Sequence, residues 1–402
     1  MAAKRAPLPK GFWTIWTTVA LDLIGFGIVA PILGRYAERY GANGLQVGLL
    51  FASYSLAQFV FSPILGRLSD RIGRKPVIVI SLVGTSIASF ITGAAGALWV
   101  LFLGRLVDGA SGASIAVAQG AVTDIAPPEQ RARLLGLLGA AFGVGFVLGP
   151  AVGGLAALGG PHVPFYVAGV VAAVNAVAAL IRLPETRSEP NRQKPPTASH
   201  AREARSPLLV RYAVIGFIAV MAFAGFESTF SLFGERRFDL TEGSTAAVFL
   251  IVGLTLVVVQ AGLIGPVTRA FGSRTVLVAG MLIVGGGLVM LSFATVWVVL
   301  IASLMLLAFG QGMASPSLTS LVAQAAPPDR RGEALGYQQS AGALARIVGP
   351  IVAGLLFDHV GYGAPYLVGG VLTLLAVLLV VDTHKRQKLS EDGEHNADRS
   401  QS

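Results

Sequence analysis

Long apolar runs separated by short polar breaks set the pattern of this chain from Phe12 to Asp382. The runs repeatedly exceed eighteen residues, more than a soluble core needs and about what a bilayer demands. A helix of about 22 residues is roughly 33 Å long, enough to cross the hydrocarbon layer. The pattern predicts twelve spans, at 12–33, 44–65, 76–95, 98–123, 133–158, 164–183, 209–233, 243–264, 275–294, 296–323, 333–357 and 362–382. The chain therefore reads as an all-α membrane protein with twelve transmembrane helices.

The longest polar break, 184–208, is rich in Pro, Arg, Ser and Glu and cannot bury itself, so it reads as a flexible linker. It parts a first bundle, 12–183, from a second, 209–382, with tails at 1–11 and 383–402. The halves repeat at an offset near 200. Ala126-Pro127-Pro128-Glu129-Gln130-Arg131 matches Ala326-Pro327-Pro328-Asp329-Arg330-Arg331, and Gly149-Pro150 matches Gly349-Pro350. Gly25-Phe26 matches Gly225-Phe226, and Gly112 and Tyr166 match Gly312 and Tyr366. Six spans per half with one orientation make a parallel repeat, hence two pseudo-symmetric six-helix bundles.

Charge changes the picture in one respect. A net charge of +9 on a soluble chain would suggest nucleic acid, but only 13% of these residues are charged and the basic ones gather at span ends. Of the 30 Lys and Arg, Arg35, Arg39, Arg236 and Arg237 fall in loops on one side and Arg105 and Arg346 within spans; the rest fall on the other side. The positive-inside rule then puts both termini in the cytoplasm of a cell inner membrane, with no nucleic-acid partner. Lys4, Arg5 and Lys10 before an apolar run imitate a signal peptide. That run is too long and holds Asp22 in its middle, so it reads as an uncleaved first span. There is no Cys, and His162, His200, His359, His384 and His395 lie in loops, tails or helix ends without ligand spacing, so no metal site is expected. No phosphate-binding loop motif occurs, so neither ATP hydrolysis nor a cofactor is expected. Gly25-x-Gly27-x-x-Ala30 imitates a dinucleotide fingerprint but sits inside an apolar helix with no preceding strand.

Charges inside spans are costly and default to function. Asp22 lies near the middle of span one; Arg105 and Asp108 lie within span four at i,i+3, on one helix face. They read either as a structural ion pair or as a proton-coupling set, with Asp22 the first carrier, Asp108 the second and Arg105 the tuning charge. Glu227, Arg346, Gln119, Gln311 and Phe26 are candidates for a substrate cavity. For Glu227 a solvated helix end, for the glutamines interhelical hydrogen bonding, and for Phe26 plain packing are the rival readings. Gly145, Gly149 and Gly153 recur at i+4 beside Pro150 and Gly154, a bare stripe for close helix packing. The stretch Gly66-Arg67-Leu68-Ser69-Asp70-Arg71-Ile72-Gly73-Arg74-Lys75 reads as a tight charged turn, its glycines supplying geometry and its basic residues topology. Asp70 is not explained that way; a carboxylate there can cap a helix N-terminus. The echo at 265–274 has Val267 and Arg269 where Leu68 and Asp70 stand, so the second half is expected to lack that acid's role.

With these residues the chain resembles the major facilitator superfamily, in particular its twelve-helix drug:proton antiporters of the tetracycline-efflux-like and multidrug kind. Residues 66–75 match that family's loop motif G-x-L-x-D-R-x-G-R-K at every defined position. Leu21-Asp22-x-x-Gly25-x-Gly27-Ile28-Val29-x-Pro31 resembles its first-helix motif, and Gly145-x-x-x-Gly149-Pro150-x-x-Gly153-Gly154 its fifth-helix antiporter motif. Arg105-x-x-x-Gly109 resembles the fourth-helix motif loosely, with Asp108 where Gln or a similar residue is more usual. The resemblance implies the major facilitator fold, spans 1, 4, 7 and 10 around a cavity, and a cytoplasmic gate made by Asp70, Arg71 and Arg74, docking near Gly332 and Glu333. It implies export rather than import, and proton-coupled efflux of small amphipathic compounds by alternating access, with lipid, protons and a small molecule as partners and a monomer as the unit. An exporter of an endogenous metabolite, sugar or lipid precursor remains the alternative. A membrane-embedded enzyme lacks a nucleophile or metal constellation, and a non-transporting receptor has no need of three mid-depth charges.

Overall fold

The structure, a computed structural model, describes residues 8–112, 114–127, 130–186, 207–326 and 331–381, and for 131–133, 136 and 331–333 the backbone alone. Most of the linker and tails read from the sequence, and the side chain of Glu333, lie outside the described residues. Among the described residues there is no strand. The helices are α1 (Phe12–Glu38), α2 (Gly44–Ile72), α3 (Arg74–Gly93), α4 (Leu98–Ser111), α5 (Ser114–Ile125), α6 (Arg131–Ala157) and α7 (Val163–Arg182). They continue as α8 (Pro207–Phe238), α9 (Glu242–Val258), α10 (Ile264–Ser292), α11 (Trp297–Ala325), α12 (Arg331–His359) and α13 (Ala364–Val381).

Every expected span falls on helix, and the differences have local causes. Span four is carried by two helices, α4 and α5, parted at Gly112. The Gly112 carbonyl accepts a hydrogen bond from Gln58 Nε2 at 2.9 Å, which competes with a helical partner. The eighth and ninth spans form one helical run, Glu242–Ser292, of 51 residues. That is more than twice what one crossing needs. A π-helical turn at Val259–Leu263 interrupts it, and Gly272, at φ +79°, divides it.

Residues 66–75 are not a loop. The helix α2 continues through Gly66 to Ile72 and α3 begins at Arg74, so Gly73 alone makes the turn, at φ +106°. Glycine is the residue that takes this backbone region at no steric cost. At the other end of α2, Asn43 and Gln46 form a reciprocal capping box, fixing where the helix starts.

The described residues fall into two compact units: those up to Gln193 with Glu227–Leu254, and those within Lys194–Phe226 with Thr255–Ser402. The first has a core of Phe12, Ile15, Leu82, Val122, Leu134 and Ala176 among others; the second has Tyr212, Ile215, Met281, Val322, Ala334 and Ala376. These residues correspond pairwise at the repeat offset, so the sequence repeat is a repeat of core positions.

Helix α1 lies on α6 almost backbone to backbone. A Cβ on Gly149 would fall 2.5 Å from Gly27 Cα, and one on Gly27 would fall 2.5 Å from the Gly145 carbonyl oxygen. On Gly153 it would meet Ile28, and on Gly154 it would meet Ala246. In the second unit the equivalent contact joins α8 to α12, where a Cβ on Gly349 would lie 2.5 Å from the Met221 oxygen. Small residues at such crossings replace the hydrophobic drive that lipid cannot supply.

Backbone cannot yield as a side chain can, so Gly149→Leu is expected to destabilise the protein by at least the ~1–3 kcal/mol typical of overpacking. Gly139→Leu, on the same helix where a Cβ meets nothing within 4 Å, serves as the reference. Thermal unfolding of the two purified variants in detergent compares them; equal midpoints would contradict this account of the α1–α6 contact.

Candidate functional site

Three of the charges inside the spans of the first unit come together. Arg105, on α4, is buried and pairs through Nη1 with Asp108 Oδ2 at 2.8 Å. Its guanidinium lies 4.3 Å from the centre of the Tyr54 ring, a cation–π contact from α2. Its Nε has no hydrogen-bond partner among the described residues. Asp108 also takes a hydrogen bond from the Thr85 side chain. Asp22, about 15 Å along α1 from Phe12, accepts a hydrogen bond from Ser114 Oγ at 2.5 Å and lies within electrostatic reach of Asp108. Gln58 donates to the Tyr54 hydroxyl at 3.3 Å as well as to Gly112, tying the ring to the point where α4 and α5 part. Two acids and one base make a cluster one proton short of neutrality. Sequence reasoning found its charges and missed Ser114, Gln58 and Thr85.

The five cavity candidates are divided between the two units. Phe26 and Glu227 line a narrow space in the first unit, together with Phe142, Phe146 and Phe249. Gln311 lines a second, small space wholly within the second unit. Gln119, half-buried on α5, and Arg346, exposed on α12, line neither.

At the α2–α3 turn the charges are organised around Arg74. Its guanidinium meets Asp70 Oδ1 at 3.0 Å, Asp124 Oδ2 at 3.0 Å and Ser69 Oγ at 2.7 Å. It lies against Gly120, where a Cβ would be 2.9 Å from Cζ. Glu185 accepts from the backbone N–H groups of Arg74 at 2.9 Å and Lys75 at 3.2 Å, a carboxylate at the positive end of α3. Arg71 is exposed. Asp124 and Glu185 were not singled out from sequence, because their partners lie 50 and 111 residues away. In the second unit Ser273 stands where Arg74 stands, and its hydroxyl lies 3.3 Å from that of Ser320, which replaces Gly120.

A second ionic cluster lies at the opposite end of the first unit. Arg35 makes a two-pronged bond to Glu235, at 3.0 Å and 2.9 Å, and donates to the Leu240 carbonyl at 2.6 Å. Arg39 pairs with Glu242 at 2.6 Å, and Arg236 with Glu38 at 2.8 Å. Bidentate Arg–carboxylate geometry is the strong form of such a pair. Arg35 and Glu235 are 200 residues apart, the repeat offset itself, so repeat-related positions meet with opposite charge. That coincidence was legible in the sequence and was not used.

An all-helical chain with two repeated cores, mid-span charges and cavities among its helices is a multi-span membrane transporter by class. The chain belongs to the major facilitator superfamily, whose family model matches residues 15–267 and 258–400. It is 33% identical over 372 residues to the tetracycline resistance protein, class C, of Escherichia coli, covering 90% of this chain and 93% of that one. It is 28% identical over 385 residues to multidrug resistance protein 2 of Bacillus subtilis (strain 168), covering 92% and 94%. The crystal structure of the nucleoside transporter NupG shares its fold, with a TM-score of 0.76 at 13% identity over 94% of this chain and 99% of that one.

The α2–α3 cluster gives a graded expectation. The Asp124 side chain is 26% exposed and that of Asp70 is 49% exposed, while Arg74 is 13% exposed. Asp124→Asn is expected to cost about 1–2 kcal/mol of stability, and Asp70→Asn less than about 1 kcal/mol. Chemical unfolding of both variants checks the order; the reverse order would show Asp70 to be the principal partner of Arg74.

Proposed function

We propose that the chain exports drug-like amphipathic compounds, tetracyclines among them, from the cytoplasm in exchange for protons, as a monomer in a cell inner membrane with both termini cytoplasmic. The observation that carries the coupling is the cluster of Asp22, Asp108 and Arg105. Without an added proton it holds one excess negative charge, which is costly in a span; with one it is neutral. Ser114 donates to Asp22, and Asp22 lies within electrostatic reach of Asp108, the acid that Arg105 holds. Binding and release of one proton at Asp22 then bias two arrangements of α1 against α4 and α5, the two-state element that alternating access needs. The resistance names of the relatives support export of drugs rather than of a metabolite.

The two ionic clusters are the two gates of this cycle. Arg35, Glu235, Arg39 and Glu242 tie the ends of α1, α8 and α9 at the outer side, and that tie must open to release substrate. Arg74, Asp70, Asp124 and Glu185 act at the cytoplasmic side.

Asp22→Asn is expected to abolish efflux of ethidium or tetracycline driven by an imposed pH gradient in inverted vesicles, with normal insertion; full efflux would remove Asp22 from the mechanism. For the outer gate, the absence of cysteine offers a clean background. Ser231 is buried on α8 close to Gly34. Ser231→Cys should react severalfold faster with an impermeant thiol reagent once Arg35→Ala and Glu235→Ala are added. An unchanged labelling rate would show that the cluster does not hold the outer side shut.

A further inference from the structure

The ionic cluster at the outer ends of α1, α8 and α9 holds a contact that its ion pairs alone do not explain. Two pairs join α1 to α8 side by side: Arg35 with Glu235 at 2.9 Å, and Glu38 with Arg236 at 2.8 Å. Each helix offers both signs, Arg35 and Glu38 from one and Glu235 and Arg236 from the other. The pairing therefore sets the two glutamates against one another, and their carboxyl groups share a hydrogen bond. Ionised carboxylates are acceptors only, so a hydrogen bond between two of them needs a proton held by one. The arrangement is that of an acid pair with a proton in place.

The surroundings agree with a proton held there. The Glu38 side chain is 17% exposed and that of Glu235 is 38% exposed, so the pair is sheltered but still reached by water. Burial pushes the Glu38 carboxyl above its ordinary value, the hydrogen bond with Glu235 pushes it the same way, and Arg236 opposes both. The other charges nearby have partners or places of their own. On α1, Arg35 also holds the Leu240 carbonyl, and Arg39 holds Glu242 of α9. On α8, Arg237 lies 5.6 Å from the centre of the Phe233 ring, and Asp239 follows in the turn into α9. Arg35, Arg39 and Arg236 thus balance Glu38, Glu235 and Glu242. The total charge does not call for a proton; the meeting of two acids does.

We propose that Glu38 and Glu235 form a second proton-binding site, separate from Asp22, which takes a proton from the outer water and thereby closes the outer gate. The proposal rests on the exporter reading and orientation given above, and adds to them what shuts the gate. The step is a simple protonation: a carboxylate oxygen of Glu38 takes a proton from water, and the hydrogen bond to Glu235 forms. The sign follows from linkage. Opening the gate parts α1 from α8 and leaves Glu38 to water, so the closed gate holds the proton more tightly than the open one. Acid therefore favours closure. As pH rises through the raised value of Glu38, the proton leaves, two carboxylates face each other and closure weakens. An exchanger has a use for this, since the acidic water that drives exchange also shuts the gate behind the departed substrate.

The test reads gate opening by cysteine labelling of the full chain, purified in detergent. Ser231→Cys on α8 reports the gate, and Leu158→Cys, 82% exposed at the end of α6, reports the reagent's own pH dependence. All proteins carry Asp22→Asn, so titration of that acid does not enter. Each unit of difference in proton affinity between closed and open gates is tenfold in their ratio. The labelling rate of Ser231→Cys relative to Leu158→Cys is expected to rise about threefold or more from about pH 5 to about pH 8. Glu38→Gln, whose amide donates to Glu235 as the protonated acid does and still offers Arg236 an oxygen, is expected to remove the step and hold the rate at its acid value. Glu235→Gln is expected to remove the step as well, and a thermal midpoint near the parent's shows that each variant is folded. A step of the parent's size in either variant overturns the proposal. So does a flat profile in the parent when Arg35→Ala with Glu235→Ala still raises labelling; the gate then stands without a proton. Labelling that neither pH nor those alanines change overturns the gate reading and the proposal with it. Protein with Asp22 retained that shows the step but moves neither ethidium nor tetracycline in vesicles overturns the exporter reading and leaves the proton site standing.

Discussion

A polar side chain carried into the hydrocarbon layer has no water to turn to and must be partnered by the protein or by what the protein carries. The arrangement of the first unit follows from this constraint. Arg105 is held between Asp108 and the face of Tyr54; Tyr54 is held by Gln58; and Gln58 takes the Gly112 carbonyl where α4 gives way to α5. The start of α5 then delivers Ser114 to Asp22. Asp22 itself is fixed by the contact of α1 with α6, whose closest point, Gly27 on Gly149, lies little more than one turn further along α1.

The same scaffold carries different chemistry in its two repeats, and the differences fall at specific places. Gly27, which lets α1 touch α6, corresponds to Glu227 in the second repeat, where the close contact uses Gly225 and Met221 instead. Arg74 on Gly120 becomes Ser273 beside Ser320, so a cation held by carboxylates becomes a pair of hydroxyls. Trp16 becomes Gly216, and a solid core becomes a lined space. Each exchange keeps the backbone packing while altering charge or volume, which a duplicated bundle tolerates as long as its glycine crossings are preserved.

What the sequence disclosed and what it hid divide along physical lines. Spans were legible because a bilayer imposes a length and a composition that nothing else mimics. Asp22, Arg105 and Asp108 were legible because a charge in such a run stands alone against its neighbours. The partners of those charges were not, since serine, glutamine and threonine are ordinary in spans and acquire a role only when another helix presents an acid. Asp124 and Glu185 were hidden for the same reason, each lying at a helix end where a carboxylate draws no notice until Arg74 or the start of α3 is beside it. Reading 66–75 as a loop went wrong because charge density was taken for chain reversal. Charged residues extend a helix beyond the lipid without breaking it, and only Gly73 has the backbone geometry of a turn.

A carboxylate inside a span is held only as well as its neighbours define it. Packing around Asp22 does this in the first repeat, where α1 lies on α6 and Ser114 reaches the acid. The second repeat keeps its own glycine crossing but places Gly216, Ser315 and Gln338 where Trp16, Ile115 and Leu138 pack the first. Duplication thus supplied two copies of one core, and the polar exchanges fall where they leave the helix crossings intact.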